Sequence, residues 1–329
     1  MLDKCKVLVI SHNVFDIFFA VARTLTNYFK SSNKISLGQL YFHSEVPGSN
    51  ICENYYRVTD FDMISAVFKG TEVGTIFTAS DVKKGMKTNR IDAGIQANIY
   101  QMGRKRKPFM YICRNLLWNT KKWKNERLEE WIDNFAPDIV FFASGDYSFS
   151  YNIAMYVATS RKIPLVLSVY DDYIFNDRFS ISPFYWLNRI SFKRKFKETI
   201  RYAATSIYIC DMLKNKYTDY YKCPSETIMT LSDVEEVSKD SYNDIVVVSY
   251  LGNLGHDRWK SLVDIGRTLK KLGHECVLDV YSNESSKRIL KHMSEDNGIR
   301  YKGVVSYEEV QRVMKNSDIL VHVEDFSGK

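Results

Sequence analysis

The chain has 329 residues, a net charge of +7, 45% hydrophobic and 26% charged residues, the make-up of a folded protein of about two domains. No stretch approaches the roughly 18–20 apolar residues of a membrane span, and the start lacks a secretory leader's long apolar run and small-residue cleavage site, so a cytoplasmic location is expected. Six scattered cysteines without a CxxC, and six histidines without an HExxH, exclude a disulfide scaffold and the common zinc motifs, and the positive charge points to an anionic partner.

Short β-branched runs alternate with helical patterns. Strands are predicted at 6–11, 35–42, 138–143, 164–170, 205–210 and 226–230, and again at 245–251, 276–282, 299–301 and 318–323. Several are continuous apolar runs, which suit parallel strands buried on both faces. Helical periodicity marks 14–30, 149–161 and 258–272. A helix at 306–315 opens with a capping box, Ser306 and Glu309. Repeated βα units predict an α/β protein with parallel sheets and two Rossmann-like lobes. Residues 232–244 carry five acids and one lysine and read as a linker. The expected division is a first lobe at 1–231, the linker at 232–244 and a second lobe at 245–329.

Four features carry chemistry. After the strand at 245–251 come Gly252, Asn253, Leu254 and Gly255, then Arg258 and Lys260 at the start of a helix. Glycines allow close backbone approach, and a helix N-terminus offers free N–H groups and partial positive charge. Arg258 adds a bidentate fork, so the segment suits a diphosphate; a plain βα turn with an exposed arginine fits equally. Asp171 and Asp172 follow the strand at 164–170, at the edge that faces the ligand crevice in open α/β sheets. They could orient or deprotonate a hydroxyl, or cap the next segment. His12 follows the first strand, as a catalytic or a structural side chain. Basic stretches interleaved with aromatics hold Arg104, Lys105, Arg106 and Lys107, and further on Lys193, Arg194 and Lys195. They suit an anionic membrane surface, or a core-facing aromatic stripe with a solvated basic face. No recognition helix or RNP motif points to nucleic acid. Asp60 and Asp62 form a DxD, placed where aspartates cap a helix.

The segment 250–273 resembles the start of the donor-binding lobe of GT-B glycosyltransferases of the retaining family 4 type. There a strand ends in Gly-Arg-Leu and a lysine follows five residues after the arginine. Here Arg258 stands at the lysine position and Asn253 at the arginine position, with Lys260 as a displaced cation. The steps at 276–282, 299–305 and 317–324 resemble the strands that follow, and 137–140 and 164–172 resemble strands of the acceptor lobe. The family's paired glutamates would come after 324, so the resemblance implies a donor lobe truncated at the C-terminus. It implies transfer of a sugar, a hexose by type, from a nucleotide-sugar to a saccharide or lipid-linked hydroxyl acceptor, with no metal or other cofactor. The implied setting is surface polysaccharide or glycolipid assembly at the inner face of the membrane. A non-catalytic binding or scaffold protein with a decayed donor site, and a nucleotide-sugar 2-epimerase of the same shape, stay open as alternatives.

Overall fold

The structure, a computed structural model, describes residues 4–16, 20–30, 32–83, 108–177, 179–230, 244–273 and 275–324. The chain separates into two compact units, Met1–Leu231 and Ser232–Lys329. The expected linker lies outside the described residues except for Asp244.

In the first unit the apolar runs become the middle of a sheet. β1 (Cys5–Ser11) lies between β2 (Ile35–Tyr41) and β5 (Ile139–Ala143) and is parallel to both. β6 (Leu165–Val169), β7 (Thr205–Tyr208) and β8 (Ser225–Thr227) extend it on one side, all parallel. Beyond β2 lie β3 (Asn54–Arg57) and β4 (Thr75–Thr78), the latter antiparallel. The order among the described residues is β4-β3-β2-β1-β5-β6-β7-β8. Two apolar clusters are built on this sheet, one around Leu8, Val140, Leu167, Phe142 and Trp118, the other around Val9, Phe15, Tyr41 and Phe141. That two-sided burial explains the uninterrupted apolar runs.

Among the described residues of this unit the helices are α1 (Ala20–Phe29), α2 (Asp60–Lys69), α3 (Ala79–Lys83), α4 (Pro108–Asn119), α5 (Glu126–Phe135), α6 (Ser148–Arg161), α7 (Pro183–Tyr202) and α8 (Asp211–Tyr221). The periodicity at 14–30 misplaces the first of them. Val14 and Phe15 are fully buried in the connection after β1, so their apolar character serves packing rather than a helical stripe. The DxD starts α2. Thr59 and Asp62 exchange side-chain and backbone hydrogen bonds as a capping box, and Asp60 accepts from Arg114 Nε and Trp118 Nε1.

Among its described residues the second unit holds a parallel four-stranded sheet in the order β11-β10-β9-β12. Its strands are β9 (Val246–Leu251), β10 (Cys276–Tyr281), β11 (Ile299–Gly303) and β12 (Ile319–Leu320). Helices α9 (Arg258–Lys271), α10 (Lys287–Leu290) and α11 (Tyr307–Asn316) join them. The Ser306–Glu309 capping box forms. Leu254, Leu262, Leu278, Val280 and Ile299 make a core separate from those of the first unit.

Candidate functional site

The glycine-containing turn leaves the carboxyl end of β9, the strand between β10 and β12. Gly252 N–H donates to the Tyr281 carbonyl at 3.0 Å, and Gly255 N–H donates to Asn253 Oδ1 at 2.6 Å. The Tyr250 hydroxyl donates to the Asn253 carbonyl at 2.8 Å. A Cβ on Gly252 would sit 2.8 Å from that hydroxyl, so close approach rather than unusual φ requires glycine here. Leu254 is fully buried and anchors the turn. His256 and Asp257 are both left-handed, with φ of 55° and 60°, an uncommon conformation for residues with side chains. Arg258 N–H and Lys260 N–H donate to the Gly255 and Asp257 carbonyls. Four amides of the cradle expected of this turn, those of Gly252, Gly255, Arg258 and Lys260, are therefore occupied from within.

What the turn does present is charge. Arg258, half-buried at the start of α9, donates from Nη2 to Glu324 Oε2 at 2.9 Å. Glu324 lies just beyond β12, and its Oε1 is 2.9 Å from His322 Nε2. The Arg258 hydrogen bond, then that of His322, hold the Glu324 carboxyl below its ordinary pKa. Lys260 pairs with Asp257 at 2.9 Å. The result is a guanidinium fixed at a helix N-terminus and a strand end, with a carboxylate in the place an anionic ligand would take.

In the first unit the carboxyl edge of the sheet gathers a second group. His12 is half-buried after β1, its ring 4.4 Å from that of Tyr147 and 5.5 Å from that of His43. The Arg114 guanidinium lies 4.3 Å from the Tyr147 ring centre and 2.9 Å from Asp60. Burial, then the charges of Arg114 and His43, push the His12 pKa well below its ordinary value. His12 Nδ1 is buried without a hydrogen-bond partner. This imidazole is neutral at pH 7 and can accept a hydrogen bond.

Asp171 and Asp172 follow β6. Asp171 is exposed, and its Oδ1 accepts from Asp172 N–H at 2.7 Å. Asp172 accepts from Lys216 Nζ at 2.6 Å, Phe175 N–H at 3.0 Å and the Tyr217 hydroxyl at 3.2 Å. Desolvation raises its pKa, but these hydrogen bonds outweigh it and the net shift is downward. Asp172 thus ties the turn after β6 to α8, and Asp171 is the more accessible carboxylate. With β5 between them, β1 and β6 end about 10 Å apart by strand spacing, so His12 and Asp171 share an edge without touching.

Of the basic residues, Lys193 pairs with Asp177 at 2.5 Å, and Arg194 and Lys195 pair with Glu198 at 2.9 and 3.2 Å. Arg104, Lys105, Arg106 and Lys107 lie outside the described residues. Among the described residues no group of three or more His, Cys, Asp or Glu could hold a metal ion, and no helix is long and apolar enough to cross a membrane. The sequence gives no signal for His43 and Tyr147; Arg114 falls in the first basic stretch, and Glu324 is the one acid near the expected glutamate pair, with no role assigned to it. They reach these places only through strand order.

No family model and no curated protein matches the chain. Solved structures do. One is Alr3699/HepE of Anabaena in complex with UDP and glucose, at 10% identity and a TM-score of 0.55, covering 97% of this chain and 74% of that one. Another is a glycosyltransferase from Rickettsia africae ESF-5, at 13% identity and a TM-score of 0.50, covering 96% and 72%. The likeness is one of fold: the chain has the two-lobed, Rossmann-like α/β fold of GT-B proteins.

Proposed function

We propose that the protein transfers a sugar, a hexose by type, from a nucleoside diphosphate donor to a hydroxyl acceptor, with retention of configuration. The observation that carries the reading is Arg258, held at the junction of β9 and α9 in a fold shared with a protein crystallised with UDP and glucose. A diphosphate would displace Glu324 from the guanidinium and gain the positive end of α9. As the glycosidic bond breaks, negative charge grows on the leaving diphosphate, and Arg258 would stabilise it. The expected second cation, Lys260, is two residues beyond Arg258 and pairs with Asp257 one helical turn before it; it would have to leave that partner to meet the same ligand.

The first unit would take the acceptor, a saccharide or a lipid-linked one. Exposed Asp171 and the neutral His12 are the groups able to orient or accept a proton from a hydroxyl. Asp172 would position Asp171 through the backbone. No metal and no nucleic acid enters this scheme. A setting in surface polysaccharide or glycolipid assembly, on the cytoplasmic side, fits a protein whose basic residues draw it to an anionic membrane. A non-catalytic binding protein is the second reading. It is favoured by the internal pairing of the turn's amides and by Asn253 capping Gly255 instead of meeting a phosphate.

Titration calorimetry with UDP, GDP and ADP tests the first reading. One of them should bind, and Arg258→Ala should weaken it about 10–100-fold, the worth of a charge-assisted hydrogen bond. Silence from all three nucleotides overturns the proposal. Binding without sugar release from the matching donor, in the presence of acceptors, moves the choice to the second reading.

A further inference from the structure

The first half of α7 is at odds with the rest of the first unit. Its buried residues, Phe192, Phe196, Thr199 and Ile200, all fall in the second half. From Pro183 to Ser191 none is buried, although this part is apolar. Leu187 and Ile190, one turn apart, are 60% and 65% exposed. Ahead of the helix, Phe179 and Ile181 are 90% and 89% exposed. The Trp186 indole N–H donates to the Ser180 carbonyl at 2.7 Å and fastens that segment to the helix. α4 lies alongside: the Phe109 and Phe184 rings are 5.5 Å apart, and Asn115 Nδ2 donates to Asn188 Oδ1 at 2.9 Å. Phe109 and Leu116, two turns apart on α4, are again exposed. Side chains so large and so contiguous are not left in water on an ordinary surface.

The charge around this ridge is one-sided. Residues 108–124 and 183–201 hold ten Lys and Arg against one Glu. Lys121, Lys122, Lys197 and Arg201 are exposed. Exposed aliphatic and aromatic tips set among cations match the boundary of an anionic bilayer, where apolar tips enter the acyl region and cations meet phosphates.

We infer that the α4–α7 ridge inserts into the surface of an anionic lipid bilayer, with Phe179 and Ile181 as the deepest residues. This deepens the membrane-surface part of the function proposed above and changes which residues carry it. Lys193, Arg194 and Lys195 are already paired with Asp177 and Glu198, so they add attraction while the apolar ridge supplies the hold.

The test is co-sedimentation of the full chain with vesicles of phosphatidylcholine containing about one-third phosphatidylglycerol, and with pure phosphatidylcholine. The parent should bind the anionic vesicles and retain part of that binding in high salt, because insertion is not screened. Tryptophan emission should shift to the blue on binding, and Trp186→Phe should remove that shift. Phe179→Ser with Ile181→Ser should weaken binding about tenfold or more, and Lys193→Gln with Arg194→Gln and Lys195→Gln by much less. Phe179, Ile181 and Arg194 are exposed and Lys193 and Lys195 half-buried, and an unaltered melting temperature shows that both variants fold. The inference is overturned if the parent ignores anionic vesicles, if the serine variant binds as the parent does, or if the parent is a dimer that the serine variant dissolves. Nucleotide titration on the same samples separates the two conclusions. Nucleotide binding without vesicle binding overturns this inference alone, and the reverse overturns the transferase reading alone.

Discussion

His12 shows how a residue's surroundings set its chemistry. Its pKa lies well below the ordinary value through burial, Arg114 and His43, so the folded protein keeps it neutral where the unfolded chain protonates it. Below about pH 6.5 the unfolded state then binds more protons, and stability falls with falling pH. One such group gives a slope of at most about 1.4 kcal/mol per pH unit. Urea unfolding between pH 7 and 5 should show a shallower pH dependence for His12→Asn than for the parent. Glu324 makes a different case. Its carboxylate occupies Arg258 and would repel a diphosphate, so Glu324→Gln should tighten nucleotide binding several-fold in the same calorimetric assay. A loss of affinity would instead make Glu324 a ligand contact. The glycines and Arg258 were legible as a tight βα turn with a cation at the start of the next helix. The pairing with Glu324 was not, because it spans 66 residues and depends on β12 lying beside β9.

Elements were legible where one physical demand dominated. The long apolar strands could be read because both faces are buried, and the helix at 306 because its cap is written in two residues. β3 and β4, four residues each, were missed because Asn54 to Arg57 and Thr75 to Thr78 are too short to show a period. Gly266 in α9 was equally silent. A Cβ there would meet the Asn297 carbonyl oxygen and come within 2.8 Å of Ile299 Cγ1, and a Cβ on Gly298, at φ 71°, would run into the Gly266 carbonyl. Helix propensity alone makes Gly266→Ala stabilising by up to about 1 kcal/mol. The backbone contact predicts the opposite sign, a loss of about 1–3 kcal/mol from overpacking, to be read from denaturant unfolding of the second unit. The same closeness sets how α9 lies on β11, and so where its N-terminus and Arg258 stand.

At the scale of the molecule, each unit has its own apolar core. Calorimetry should therefore resolve two unfolding transitions. Leu278→Ala, which opens a cavity in the second core, should lower one of them by the equivalent of about 2–5 kcal/mol and leave the other in place. A bound nucleotide at about 100 times its dissociation constant should raise that same transition by about 2.7 kcal/mol. If the nucleotide raises only the other transition, its site belongs to the first unit and the role given to Arg258 falls.

The place of β1 in the sheet also has a consequence in time. Its two neighbours are β2, close by in sequence, and β5, whose entry is marked by Asp138 bonding back to Lys6 across 132 residues. At a synthesis rate of about 5–20 residues per second, the ribosome takes about 7–26 s to make that span. Throughout it, the apolar run of β1 has one edge without its partner. Nascent chains should be most prone to aggregate, and most dependent on chaperones, in the interval before residue 143 leaves the exit tunnel.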